Sequence, residues 1–181
     1  MRNKIILASA SPRRKELLQR ISASFEVVVS GVDESKAEGV KEIALLKARA
    51  VASKHPDAVV IGADTIVELD GRILGKPKDK AQAVLMLMSL SGRENFVTTG
   101  LAVIFPGGRT ITDTVTTVVK MKKYSLKEAQ RYVDDFLPLD KAGAYGIQEM
   151  DEVFIDSIRG DYDNVVGLPV KRLSEILSMS A

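Results

Sequence analysis

The sequence predicts an α/β fold from three observations. Apolar runs of strand length recur at Lys4 to Ala8 (KIILA), Phe25 to Ser30 (FEVVVS) and Ala58 to Leu69 (AVVIGADTIVEL). Segments with helix-start signals or helical stripes alternate with those runs. Two further segments, Phe96 to Phe105 and Arg109 to Met121, are rich in Val, Ile and Thr and flank Pro106-Gly107-Gly108, which predicts a long antiparallel hairpin. With 181 residues, 45% of them hydrophobic, the chain can bury a continuous core and is expected to form one domain over residues 1–181.

The elements follow in order. Lys4 to Ala8 is a short buried strand, after which Ser11-Pro12 offers a hydroxyl N-cap and a proline at the first helical position. Arg13, Arg14 and Lys15 then place cations in the first turn, where the helix dipole already presents about half a positive charge. An anion would reverse that cost, so the segment suits phosphate oxygens; the alternative is a solvated basic face. Leu17, Leu18 and Ile21 would anchor this helix. Past the strand at Phe25 to Ser30 stand Asp33 and Glu34, either metal or substrate ligands or an ordinary polar loop. Lys41 to Lys54 carries a helical stripe through Ile43, Leu46, Ala50 and Val51, into which Lys47 intrudes, either to snorkel or to reach a phosphate or one of the carboxylates.

Ala58 to Leu69 has the character of a central strand interrupted by Gly62 and Asp64-Thr65. A carboxylate buried there needs compensation from a metal, a catalytic water or a cation such as Lys47 or Lys76. Asp70-Gly71 makes a tight hairpin turn, and counting back from it places Asp64 and Lys76 near one another, as base beside phosphate binder or as a cross-strand ion pair. Asp79 can cap a helix through Leu90 with Ala83, Leu87 and Leu90 on one face, and Ser125-Leu126-Lys127-Glu128 is a capping box opening a helix that ends before Pro138. Asp140 to Gln148 (DKAGAYGIQ) has glycines that allow close backbone approach to a ligand, and Gln148 could meet a base edge. Val153 to Ile158 is a further strand, Gly160 to Asn164 a turn, and Gly167-Leu168-Pro169 opens a final helix through Leu177.

Composition limits the chemistry. The absence of cysteine excludes disulfides, thiolate zinc and thiol nucleophiles, and the lone His55, before Pro56 at an apparent helix end, cannot make a histidine-rich metal centre. A net charge of +2, with both signs interspersed, points to neither nucleic acid nor a membrane surface. No apolar run approaches a membrane span and the N-terminus lacks the apolar core of a signal peptide, so a cytoplasmic protein is expected.

Assembled, these segments resemble the Maf family of nucleoside triphosphate pyrophosphatases over nearly the whole chain. The matching stretches are LASASPRR (Leu7 to Arg14), Asp33-Glu34, KARAVA (Lys47 to Ala52), GADTIV (Gly62 to Val67), GKP (Gly75 to Pro77), SGR (Ser91 to Arg93), DKAGAYGIQ, and GDYDNVVGLP (Gly160 to Pro169). The resemblance implies an elongated α/β fold with a strongly twisted mixed β-sheet flanked by helices, of the inosine triphosphatase type, with two lobes and a central cleft. It also implies hydrolysis of a nucleoside triphosphate to monophosphate and pyrophosphate with a divalent metal, Mg2+ or Mn2+. The AYGIQ form resembles the dTTP and UTP branch; the alternatives are the 7-methyl-GTP branch, a broad modified-nucleotide housekeeper, or a nucleotide-binding regulator of septum formation. By position, Asp64 matches the proton acceptor, and Arg13, Thr65 and Gln148 match positions associated with substrate choice. Ser9, Arg14, Glu34, Lys47 and Lys76 match the other polar positions, with Glu34 and Asp64 toward the metal. A possible homodimer is implied as well. Two departures stand out: Glu149 where glycine is usual, and Asn95 in place of a histidine.

Overall fold

The computed structural model describes residues 4–179. Seven strands form one mixed sheet in the order β2-β1-β3-β5-β6-β7, with β4 paired to β3 alone. They are β1 (Ile5–Leu7), β2 (Glu26–Val27), β3 (Val59–Leu69), β4 (Arg72–Leu74), β5 (Glu94–Ile104), β6 (Thr110–Met121) and β7 (Ile155–Arg159). The helices are α1 (Pro12–Gln19), α2 (Gly39–Ala52), α3 (Lys80–Leu90), α4 (Leu126–Phe136), α5 (Tyr162–Val166) and α6 (Val170–Ser178). β1 runs parallel to both β2 and β3. β3 with β4 and β6 with β7 are antiparallel. The α/β class read from the alternating pattern is therefore the class observed.

The described residues divide into two compact units, the first formed by 4–65, 99–115 and 167–179 and the second by 66–98 and 116–166. In the first, α2 lies against the sheet at very short range. A Cβ on Gly62 of β3 would stand 2.2 Å from the Ala44 carbonyl oxygen, and one on Gly100 of β5 would stand 2.3 Å from that of Val40. Backbone approach this close leaves room only for small side chains, so Ala44 and Ala48 face inward and join Ile6, Ala8, Val60 and Ala102 in the core. This corrects the stripe expected for the helix. Its buried residues are Val40, Ala44, Ala48 and Val51, whereas Ile43 and Leu46 are only half-buried. The strand expected over Phe25 to Ser30 shrinks to two exposed residues at the sheet edge, where Glu26 pairs with Lys4 at 2.8 Å.

In the second unit α3 and α4 pack together, with Ala83, Leu87 and Leu90 of α3 buried as the periodicity predicts. The Asp79 side chain accepts from the Gln82 N–H, and the Ser125/Glu128 capping box forms in full. Tyr124, Tyr132 and Phe154 build an aromatic core, with the Phe154 ring 4.9 Å from Tyr124 and 5.4 Å from Tyr132. Asp70 and Gly71 both take positive φ, 50° and 75°, the geometry of a two-residue hairpin turn with right-handed strand twist. The turn expected at Gly160 to Asn164 leads into α5, because the Asp161 carboxylate accepts from the N–H groups of Asp163 and Asn164 and caps a helical turn.

Candidate active site

The first unit gathers most of the polar residues singled out in the sequence. Ser11 caps α1 through its hydroxyl, which accepts from the Arg14 N–H at 3.4 Å, and Pro12 occupies the first turn. No acidic residue balances the cations there. Arg14 instead turns into the structure. Its Nε donates to the Gly167 carbonyl at 2.8 Å, and its two terminal nitrogens donate to the Ser9 hydroxyl at 3.1 Å and the Thr65 hydroxyl at 3.0 Å. Those bonds engage three of the five N–H donors of a guanidinium. Burial pulls the Arg14 pKa below its ordinary value; Asp64 and Glu34 pull it back up, and neighbouring Arg13 pushes it further down.

The second cluster centres on Lys47. From α2 its ammonium meets Asp64 Oδ1 at 2.8 Å and Glu34 Oε1 at 2.9 Å. Lys47 and Asp64 are largely buried, with side chains 11% and 15% exposed, while Glu34, on a 3-10 turn capped by Asp33, is 53% exposed. Lys47 therefore reaches both carboxylates rather than snorkelling. Thr65 follows on β3, and its hydroxyl links Arg14 to Thr99 on β5 at 2.8 Å.

Lys76 and Gln148 belong to the second unit. The pairing of Asp64 with Lys76 inferred from the hairpin is incorrect. The β3/β4 register pairs Val67 with Leu74, Glu68 with Ile73 and Leu69 with Arg72, so each pair of numbers sums to 141 whereas 64 and 76 sum to 140. The ladder also stops at Leu74, and Asp64 takes Lys47 as its cation. Lys76 is exposed on the segment after β4, where the Gly75 carbonyl accepts from the Gly143 N–H at 3.1 Å. Gln148 is exposed on the turn that ends the DKAGAYGIQ segment.

Both departures from the family pattern are built into that segment. Asn95, fully buried, donates to the Val119 carbonyl and accepts from the Tyr145 hydroxyl at 2.8 Å. Glu149 pairs with Lys141 at 3.2 Å and accepts from the Tyr132 hydroxyl at 3.0 Å. Thr99, Tyr132 and Lys141 were not identified as site residues from the sequence. Thr99 and Tyr132 sit inside ordinary strand and helix patterns, and only the register of folded elements brings them to the loop or the arginine.

Glu34 and Asp64 both bring carboxylate oxygens to the Lys47 ammonium, and hard oxygens of this kind are the donors that magnesium or manganese prefers. Among the described residues no group of three or more His, Cys, Asp or Glu side chains could hold a metal ion. Two carboxylates fit a cation that completes its shell with phosphate oxygens and water. They do not form a closed protein cage.

Solved structures share the fold. The Staphylococcus aureus Ham1 protein matches with a TM-score of 0.60 at 17% identity, covering 98% of this chain and 100% of that one. A HAM1 protein from Coxiella burnetii gives 0.58 at 16% identity, covering 98% of this chain and 99% of that one. Residues 4–180 match the Maf-like protein family, and the chain belongs to it. Among relatives, the dTTP/UTP pyrophosphatase of Symbiobacterium thermophilum is 49% identical, covering 96% of this chain and 92% of that protein. Those of Dictyoglomus turgidum (46%, covering 98% and 96%) and Clostridium novyi (48%, covering 96% and 95%) carry the same name.

Proposed function

We propose that the chain is a nucleoside triphosphate pyrophosphatase that hydrolyses dTTP and UTP to the monophosphate and pyrophosphate, acting as one catalytic domain in upkeep of the nucleotide pool. The observation that carries this reading is the meeting of Asp64 and Glu34 at Lys47, in the same unit as the Arg14 network. Relatives at 43–49% identity named for this activity support the choice of nucleotides.

Hydrolysis at the α-phosphorus needs an in-line water, neutralisation of phosphate charge and relief of charge on departing pyrophosphate. In the first unit Arg13 and Lys47 supply cations for the phosphate oxygens, and Ser9 and Arg14 shape the backbone around them. The Asp64 carboxylate takes a proton from the attacking water as the new P–O bond forms and the bond to the bridging oxygen breaks. A bound Mg2+ or Mn2+ on Glu34 and Asp64 would offset charge on the phosphates. In the second unit Gln148 and the backbone of Ala144 to Gly146 meet the base, where polar groups reject a wrong edge because they would be left unpaired.

Asp64→Asn keeps an oxygen for Lys47 but loses the base, so turnover should fall by about 10² to 10⁴ while nucleotide affinity holds. Pyrophosphate release measured beside equilibrium binding checks this, and near-normal turnover would remove Asp64 from the role. A panel of triphosphates including 7-methyl-GTP, assayed with and without magnesium, tests the substrate assignment. Binding without turnover in that panel would favour a regulatory role instead.

A further inference from the structure

We infer that Glu149, Tyr132 and Lys141 form a clasp that fixes the turn bearing Gln148 and thereby sets base selectivity. They are positioning residues, and the inference rests on the reading that Gln148 meets the base.

The turn runs from Gly146 to Glu149, closed by the Glu149 N–H donating to the Gly146 carbonyl at 3.0 Å, with Gln148 at its third position. One hydroxyl holds both ends. Tyr132 accepts from the Gly146 N–H at 3.0 Å and donates to Glu149 Oε2 at 3.0 Å. Glu149 Oε1 pairs with Lys141, whose side chain is 8% exposed and which also pairs with Asp140 at 3.0 Å. Gly146 is fitted against this pair, since a Cβ there would lie 2.9 Å from both Glu149 Oε2 and Lys141 Cε. Tyr132 is itself held by rings of Phe136 and Phe154, with centroids 5.0 and 5.4 Å away. Within the turn, Ile147 is buried while Gln148 is exposed.

A glutamine amide carries both a donor and an acceptor end, so by turning over it can serve a thymine or uracil edge or a cytosine edge. Its discrimination therefore depends on a backbone that does not move to accommodate the wrong one. The clasp supplies that rigidity without touching the phosphates. Loosening it should cost selectivity, not the chemical step.

The test compares Glu149→Gln, Tyr132→Phe and Gln148→Ala with the parent on dTTP and dCTP. Inorganic tripolyphosphate serves as a competitive probe of phosphate binding, and thermal melts report folding. Glu149→Gln keeps the side-chain volume but removes the ion pair; Tyr132→Phe keeps the core ring and removes the bridging hydroxyl. The clasp predicts that either variant lowers the dTTP to dCTP ratio of kcat/KM by about tenfold. The change should enter through KM, with kcat on dTTP within about twofold and tripolyphosphate inhibition constant unchanged. Equal losses on both nucleotides, or unchanged selectivity in both variants beside altered selectivity in Gln148→Ala, overturn the clasp and leave Gln148 as base reader. Unchanged selectivity in Gln148→Ala overturns the base-reader reading and the clasp with it.

Discussion

Leu137 ends α4 in the left-handed region, with φ 46° and ψ 59°, and its N–H closes the last turn onto the Val133 carbonyl. Glycine is the residue that position favours, because a Cβ in this conformation costs about 1–2 kcal/mol. The Leu137 side chain is 52% exposed, so little packing is lost on removing it. Leu137→Gly should therefore stabilise the protein by about 0.5–1 kcal/mol, read as a melting point raised by roughly 1–4 °C. A lower melting point would show that the exposed leucine contributes more than its backbone strain costs. Arg14 presents the converse lesson about single residues. Its charge was visible in SASPRRK, and so was the cost of three cations in one helical turn. That its guanidinium would turn to Ser9, Thr65 and Gly167 was not visible, because the Gly167 partner lies 153 positions away and offers only a backbone carbonyl.

At the scale of elements, the contact of α2 with the sheet is fixed by two glycines. Gly100→Ala would drive a methyl group to 2.3 Å from the Val40 carbonyl oxygen and 2.4 Å from its carbon, and helix backbone cannot step aside as a flexible side chain can. We expect a loss of about 3 kcal/mol or more, a fall of roughly 6–12 °C in melting temperature. Gly75→Ala is the control. A Cβ there has nothing within 4 Å, and the variant should melt within about 2 °C of the parent. A mild effect at Gly100 would mean that α2 shifts readily along the sheet. The same packing explains what the sequence could and could not convey. Helix and strand identities followed from local signals such as Asp79, the Ser125/Glu128 box and the β-branched runs. The buried face of α2 did not, because a hydrophobic count favours Ile43 and Leu46, whereas the glycines opposite admit only Ala44 and Ala48. The hairpin turn at Asp70-Gly71 formed as expected, but the count from it was off by one residue, and the ladder ends at Leu74, so Lys76 lies beyond the paired strand.

For the whole molecule, Asp64 and Thr65 were legible as polar interruptions in an apolar strand, whereas a division into two units was implied only by the family resemblance and not by local pattern, because β3, β5 and β6 run without interruption through the boundaries. Charges with local partners link elements far apart in the chain within each unit. In the first, Arg172 of α6 donates to the Asp113 carboxylate of β6; in the second, Arg159 of β7 forms two hydrogen bonds with Glu94 of β5. Burial pushes the Asp113 pKa up, but the Arg172 hydrogen bond and charge and the Thr114 N–H outweigh it, and the carboxyl titrates below its ordinary 3.8. The Glu94 carboxyl is likewise held below its usual value, chiefly by Arg159. A carboxyl with a depressed folded pKa is protonated first in the unfolded chain, so the unfolded state binds the extra protons and stability rises with pH through that window. The contribution is fully present above the unfolded value and is lost as pH falls through the folded one. Thermal melts of the parent and of Asp113→Asn should therefore differ most at pH 6, with the parent higher. The two should converge as the pH falls through the depressed folded pKa of Asp113, where the carboxyl becomes protonated in the folded chain as well. A gap that does not narrow however far the pH is lowered within the folded range would mean that the pair acts through packing of the Arg172 stem on β6 and not through charge.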